Sequence, residues 1–185
     1  RLEAKTKKNA KEMGDSFTTA IGKIAGTYVA FDLAAKGAKL LINTVLDTSK
    51  AVADLNDQAQ QLNISFQAFQ ELSFAAIQSG VDIEKLSAAI GKMEINIGKA
   101  FETSDKAGLF KKLGIDIKAL INLNGDEQLK VIAEALSKVQ NQGQQAAIGV
   151  EIFGKSFLVL KPLLSNGAQG LDDFGKQARA MGVVI

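Results

Sequence analysis

The sequence predicts an all-α protein: a long N-terminal coiled-coil-like helix followed by a compact cluster of shorter helices. Three observations predict it. The 185 residues hold one proline, one tyrosine and no tryptophan, while Ala, Leu, Ile, Lys and Gln, which favour or tolerate helix, recur throughout. Apolar residues return at spacings of three and four. No segment alternates apolar and polar residues for long enough to argue for a sheet. With 46% hydrophobic and 23% charged residues, the chain can bury a core, as one helical domain or as a small domain joined to a long helix.

The opening is basic, with Arg1, Lys5, Lys7, Lys8 and Lys11, but Glu3 and Glu12 dilute it and the net charge is +2. It reads as a solvated helix face, with no footprint for specific nucleic-acid binding. From Phe17 the apolar residues fall at Phe17, Ile21, Ile24, Tyr28, Phe31, Ala35, Ala38, Ile42 and Val45, the rhythm of a coiled-coil seam. It continues more weakly through Val52, Leu55, Ala59 and Leu62, with Ser49 and Asn56 intruding. One helix from Phe17 to Leu62 would be roughly 70 Å long. Such a rod cannot bury itself, so we expect self-association through Phe17, Ile21, Ile24, Tyr28, Phe31, Ile42 and Val45 in a homo-oligomer. The seam mixes Phe, Ile, Ala and Tyr, which leaves two, three or more strands open.

Residues 1–62 therefore form one unit, the rod, and residues 63–185 a second, compact one. Asn63 terminates the rod as a left-handed residue and Ser65 caps a helix from Phe66 to Gln78, with Phe66, Phe69, Leu72, Ala76 and Ile77 on one face. Gly80 stops it. Asp82 caps a third helix, running to Glu102, that carries Ile83, Leu86, Ile90, Met93 and Ile97 in heptad spacing. After the polar break Thr103-Ser104-Asp105, short helices follow: Lys106 to Leu113, closed by Gly114; Ile117 to Ile121; and Asp126 to Val139, with Asp126 as N-cap. Leu129, Ile132, Leu136 and Val139 line the last of these. Gln144 to Phe153, Phe157 to Leu164 and Gln169 to Met181 complete the set. No initiator methionine precedes Arg1, and the apolar ending Val183-Val184-Ile185 makes a poor free terminus. We expect a segment of something longer, extending past both ends.

Composition closes most catalytic chemistry. Without cysteine there are no disulfides, thiolate nucleophiles or thiolate metal sites. Without histidine there is no Ser-His or Cys-His activation and no imidazole metal site. Carboxylate catalysis survives, but its candidates Glu71, Glu84, Glu94, Asp116 and Glu151 are scattered, and we read them as solvated faces or helix starts. We expect no enzyme, no metal and no cofactor.

One motif argues otherwise. Gly149-Val-Glu-Ile-Phe-Gly154-Lys155-Ser156 matches the phosphate-loop pattern letter for letter, with Lys155 placed to reach phosphates and Ser156 to bind Mg²⁺. That motif needs a preceding buried strand, whereas Gln144-Gln-Ala-Ala-Ile-Gly reads as helix, and its intervening residues are bulky and apolar. Apolar-Gly-Lys also recurs at Ile21-Gly22-Lys23, Ile90-Gly91-Lys92, Ile97-Gly98-Lys99 and Phe174-Gly175-Lys176. We judge Gly149, Gly154, Lys155 and Ser156 a chance match, with Gly154 a helix C-cap. Gly22 and Gly26 form a small-residue pair within an apolar stretch, which invites a membrane reading. Lys23 and Asp32 oppose it, and close helix packing explains the same residues. Asn63-Ile64-Ser65 fits the glycosylation sequon but serves better as a turn.

From Leu62 the wording becomes specific. Leu62-Asn-Ile-Ser65, Phe69-Gln-Glu-Leu72, Ala75-Ala76, Ser79-Gly-Val81 and Leu86-Ser-Ala-Ala-Ile90 resemble the helical region of phage and prophage tail-length tape-measure proteins. Leu113-Gly-Ile115, Asp126-Glu-Gln-Leu129, Ile132-Ala-Glu-Ala-Leu136, Ile152-Phe-Gly-Lys155, Leu160-Lys-Pro-Leu-Leu164, Gly170-Leu171 and Gly182-Val-Val-Ile185 continue the likeness in the same order. It covers roughly Val52 to Ile185. The resemblance implies a structural virion protein whose helical length sets how many tail-tube rings stack around it. It implies the tail-tube protein and tail assembly chaperones as partners, the host cytoplasm during assembly, the tail lumen in the virion, and exit ahead of the genome during infection, with membrane contact at that stage left open. Some members carry murein-cleaving or peptidase domains, which nothing here resembles. Two other readings stand beside it: a membrane-active helical protein inserting through residues 17–46, and a nucleotide-binding enzyme built on Gly149 to Ser156.

Overall fold

The computed structural model describes the backbone of residues 48–184 and the side chains of residues 55–103 and 107–184. The described residues are all-helical, with no strand among them. Of the long helix expected over Phe17 to Leu62, the backbone is described from Thr48 onward, and the expected seam from Phe17 to Val45 lies outside the described residues.

Helix α1 (Thr48–Gln61) leads into α2 (Phe66–Gln78), α3 (Ile83–Glu102), α4 (Ser104–Lys112) and the single turn α5 (Ile117–Leu120). Three of the corners between them repeat one construction. Asn63, Gly80 and Gly114 adopt φ of 48°, 72° and 71°. The apolar residue after each, Ile64, Val81 or Ile115, donates its amide back across the helix end, to Ala59, Ala76 and Phe110 at 2.9, 2.8 and 3.0 Å. This doubly bonded left-handed cap satisfies the orphan carbonyls of the finished helix and turns the apolar residue inward. Extended Ser65, Asp82 and Asp116 then start the next helix. Ser65 Oγ accepts from the Ala68 amide at 3.1 Å and an Asp116 carboxylate oxygen from the Lys118 amide at 2.9 Å.

The second half comprises α6 (Gly125–Ser137), α7 (Gln142–Phe153), a 3-10 turn (Gly154–Ser156), α8 (Phe157–Leu164) and α9 (Gly167–Ala180). Helix α3 is the axis of the cluster, packing against α2, α4, α5, α6, α7 and α8. Its heptad residues Leu86, Ile90, Met93 and Ile97 are all but inaccessible to solvent, and Phe69, Phe110, Leu129, Ile132, Phe153 and Phe157 close around them. Helix α9 lies on α2 and α6 at the edge of the cluster.

Several boundaries differ from the sequence expectation. The polar break after α3 is confined to Thr103, which is extended at φ −127° and serves as both C-cap and N-cap, so α4 begins at Ser104. Asp126 is not the N-cap of α6. Asn124 is, with its amide donating to the Glu127 carboxylate at 3.2 Å, and Gly125 is already helical. Helix α7 begins at Gln142, two residues ahead of Gln144, and Asn141 caps it, accepting from the Gln144 amide at 2.9 Å. Helix α6 ends at Ser137, leaving half-buried Val139 in the following turn, and α5 ends at Leu120. Helix α9 spans Gly167–Ala180 rather than Gln169 to Met181.

Candidate functional site

The phosphate-loop-like segment lies across a helix corner. Gly149 is buried inside α7, and a side chain there would strike the ring of Phe157. Gly154 caps α7 at φ +72°, its amide donating to the Val150 carbonyl. Lys155 is exposed and Ser156 half-buried, both in the 3-10 turn into α8. Phe153 and Phe157 stack across this corner, ring centroids 5.9 Å apart and planes 11° from parallel. A helix precedes the motif where a phosphate cradle requires a strand, and the amides from Gly149 to Phe153 are committed to helical bonds. Gly149 faces inward while Lys155 faces solvent, so the four residues do not converge on one point.

The scattered carboxylates take different places. Glu84 and Glu151 are exposed, and Asp116 caps α5. Glu71 is not on a solvated face. On α2 it accepts from Gln67 at 3.0 Å and pairs with Arg179 of α9, its side chain 17% exposed. Glu94 is half-buried against Gly125, and burial holds its carboxyl above the usual range. Burial also raises Asp126, against the opposing pull of its own backbone amide and of Lys130, with Glu127 and Glu71 adding to the rise. Glu134 is lowered, first by its bond to Lys138 and then by the Ala168 amide.

Sequence reasoning missed the interhelical polar contacts. Asn96, 4% exposed, donates from its amide to the carbonyls of Glu151 and Ile152 at 3.0 and 2.8 Å, tying α3 to the end of α7. Gln128, equally buried, donates to the carbonyls of Leu120 and Leu123 at 3.2 and 3.0 Å. Lys130 of α6 pairs with Asp172 of α9 at 2.6 Å.

On the surface, Ile95 and Phe101 of α3, Val131 of α6 and the neighbours Leu158 and Val159 of α8 are exposed. Singly such residues are ordinary. Among the described residues there is no group of three or more Asp and Glu placed to hold a metal, and no helix is long and apolar enough to cross a membrane. Comparison with models of protein families, with curated proteins and with solved structures gives no match.

Proposed function

We propose that this chain is a segment of a phage tail-length tape-measure protein, structural rather than catalytic. The observation that carries the proposal is the ordered succession of pieces from Leu62-Asn-Ile-Ser65 to Gly182-Val-Val-Ile185. The all-helical character of residues 48–184 is compatible with it. Three of those pieces, at Asn63, Gly80 and Gly114, are the left-handed corners that turn one helix into the next.

In this reading the rod self-associates along Phe17 to Val45 and lies in the tail lumen after assembly in the host cytoplasm, with the tail-tube protein and assembly chaperones as partners. A continuous helix adds about 1.5 Å per residue. A cluster folded back on itself breaks that proportion, so residues 63–185 are a docking or folding module and only the rod measures. Removing residues 24–37, two heptads, keeps the remaining seam in register and shortens tails by roughly 21 Å in electron micrographs. Tails of unchanged length would remove the rod from the measuring span. Leakage of liposomes dependent on residues 17–46 would favour the membrane-active alternative instead.

A further inference from the structure

Helix α9 is bound unlike the rest of the module. Its buried positions are Gly167, Gly170, Leu171, Gly175 and Ala178, so three of five bring no side chain. Helix α3, by contrast, buries Leu86, Ala89, Ile90, Met93, Ile97 and Ala100. Two internal glycines, Gly170 and Gly175, also weaken α9 as a helix in its own right, and 14 residues is a marginal length for an isolated helix. To the apolar burial of Leu171, Ala178 and the half-buried Phe174, α9 adds charge. The Ala168 amide donates to Glu134 at 3.3 Å, Asp172 meets Lys130 at 2.6 Å, and Arg179 meets Glu71. These latches stand near the start, the middle and the end of the helix; the first two reach α6 and the third reaches α2. The preceding α8 is anchored by buried Phe157, Leu160, Leu163 and Leu164, whereas Ser165 and Asn166 are exposed, which sets the break point between the two helices.

We propose that α9 is a releasable strap, an ion-latched helix that undocks from α2 and α6 as one unit when its charge pairs are screened, while the α3-centred cluster stays folded. An isolated exposed ion pair is worth little. Here three polar latches act on a helix that packs its backbone closely on α2 and α6 but brings few apolar side chains, Leu171, Ala178 and the half-buried Phe174, so they form a sizeable share of its docking. Glu71 occupies the space of a Cβ at position 175, and Glu134 Oε2 lies 2.5 Å from one at position 167. Glycine at both positions lets α9 seat against these two carboxylates without displacing them.

Hydrogen exchange read by mass spectrometry on the full chain tests this, comparing residues 167–180 with residues 86–100. Raising salt from about 0.05 M to about 0.5 M shortens the screening length to a few ångströms. The expected result is an increase of about ten-fold in the exchange of α9 amides with α3 amides unchanged. Glu71→Gln should reproduce that increase at low salt and reduce the response to added salt. The strap is overturned if α9 and α3 exchange at one common rate, if salt leaves α9 unmoved, or if Glu71→Gln accelerates both helices alike.

Discussion

The backbone amide of Gly125 donates to the carbonyl of Asn63 at 2.9 Å, joining the corner after α1 to the first turn of α6. A Cβ at position 125 would collide with the Leu62 carbonyl oxygen and come within 2.9 Å of Ile64 Cγ1 and 3.2 Å of Glu94 Oε1. The dipeptide Asn124-Gly125 is thus the point where the corner after α1 is fastened to α6. It limits the directions in which α1 can leave.

Gly125→Ala should therefore destabilise the chain, although alanine inside a helix ordinarily gains up to about 1 kcal/mol over glycine. Overpacking at this contact should cost about 1–3 kcal/mol, read as a lower denaturant midpoint at unchanged slope. Gly98→Ala is the contrasting case. Position 98 lies within α3 with nothing inside 4 Å of its Cβ, so the same substitution should gain about 0.5–1 kcal/mol. Equal shifts at the two positions would refute the Gly125 contact.

Much of this fold was legible because its rules are local. A left-handed Asn or Gly, then an apolar residue, then Ser or Asp marks three corners without reference to the rest of the chain. The stripe Leu86, Ile90, Met93, Ile97 marks the buried face of α3 by period alone. Contacts between helices distant in sequence were not legible. Nothing near Glu71 points to Arg179, and nothing in Asp126-Glu-Gln-Leu129 says that Gln128 is buried. Asn96 did leave a trace. It sits three residues after Met93 and four before Ala100, a polar residue on an apolar stripe, and such a residue must find partners. The N-cap at Asn124 in place of Asp126 also had a local trace, since Asn124 and Glu127 stand at capping-box spacing.

Asn96→Ala should cost about 1–3 kcal/mol, because it leaves the buried carbonyl of Ile152 and the part-buried one of Glu151 without their donor. The loss should appear in the denaturation midpoint. A neutral result would mean that other donors serve these carbonyls in solution.

Lys155→Ala, on the exposed 3-10 turn, should change stability by no more than about 0.5 kcal/mol. It should also leave the response to Mg²⁺ and ATP or GTP in a fluorescence titration as it is in the unaltered chain. Phe157→Ala removes the ring packed on Gly149 and stacked on Phe153, and should cost about 3–5 kcal/mol. Nucleotide affinity that depends on Lys155 would reverse this assignment and restore the phosphate-loop reading of Gly149, Gly154, Lys155 and Ser156.

Glu94 and Glu134 should give opposite pH signatures. Burial beside Gly125 raises the Glu94 carboxyl, so the folded chain binds that proton more readily than the unfolded chain does. The cost of holding Glu94 charged is then fully present above its folded value. It fades as the pH falls through that value and is gone below the ordinary glutamate range. Glu94→Gln should melt above the unaltered chain at about pH 7, and the two should converge by about pH 4. Glu134 is lowered by Lys138 and the Ala168 amide, so its contribution is present at neutral pH and is lost on acidification through its folded value. Glu134→Gln should accordingly melt below the unaltered chain at about pH 7 and converge with it from the other side. Melting temperatures recorded across this range by circular dichroism decide both, and gaps of the same sign for the two variants would contradict the placement of one carboxylate.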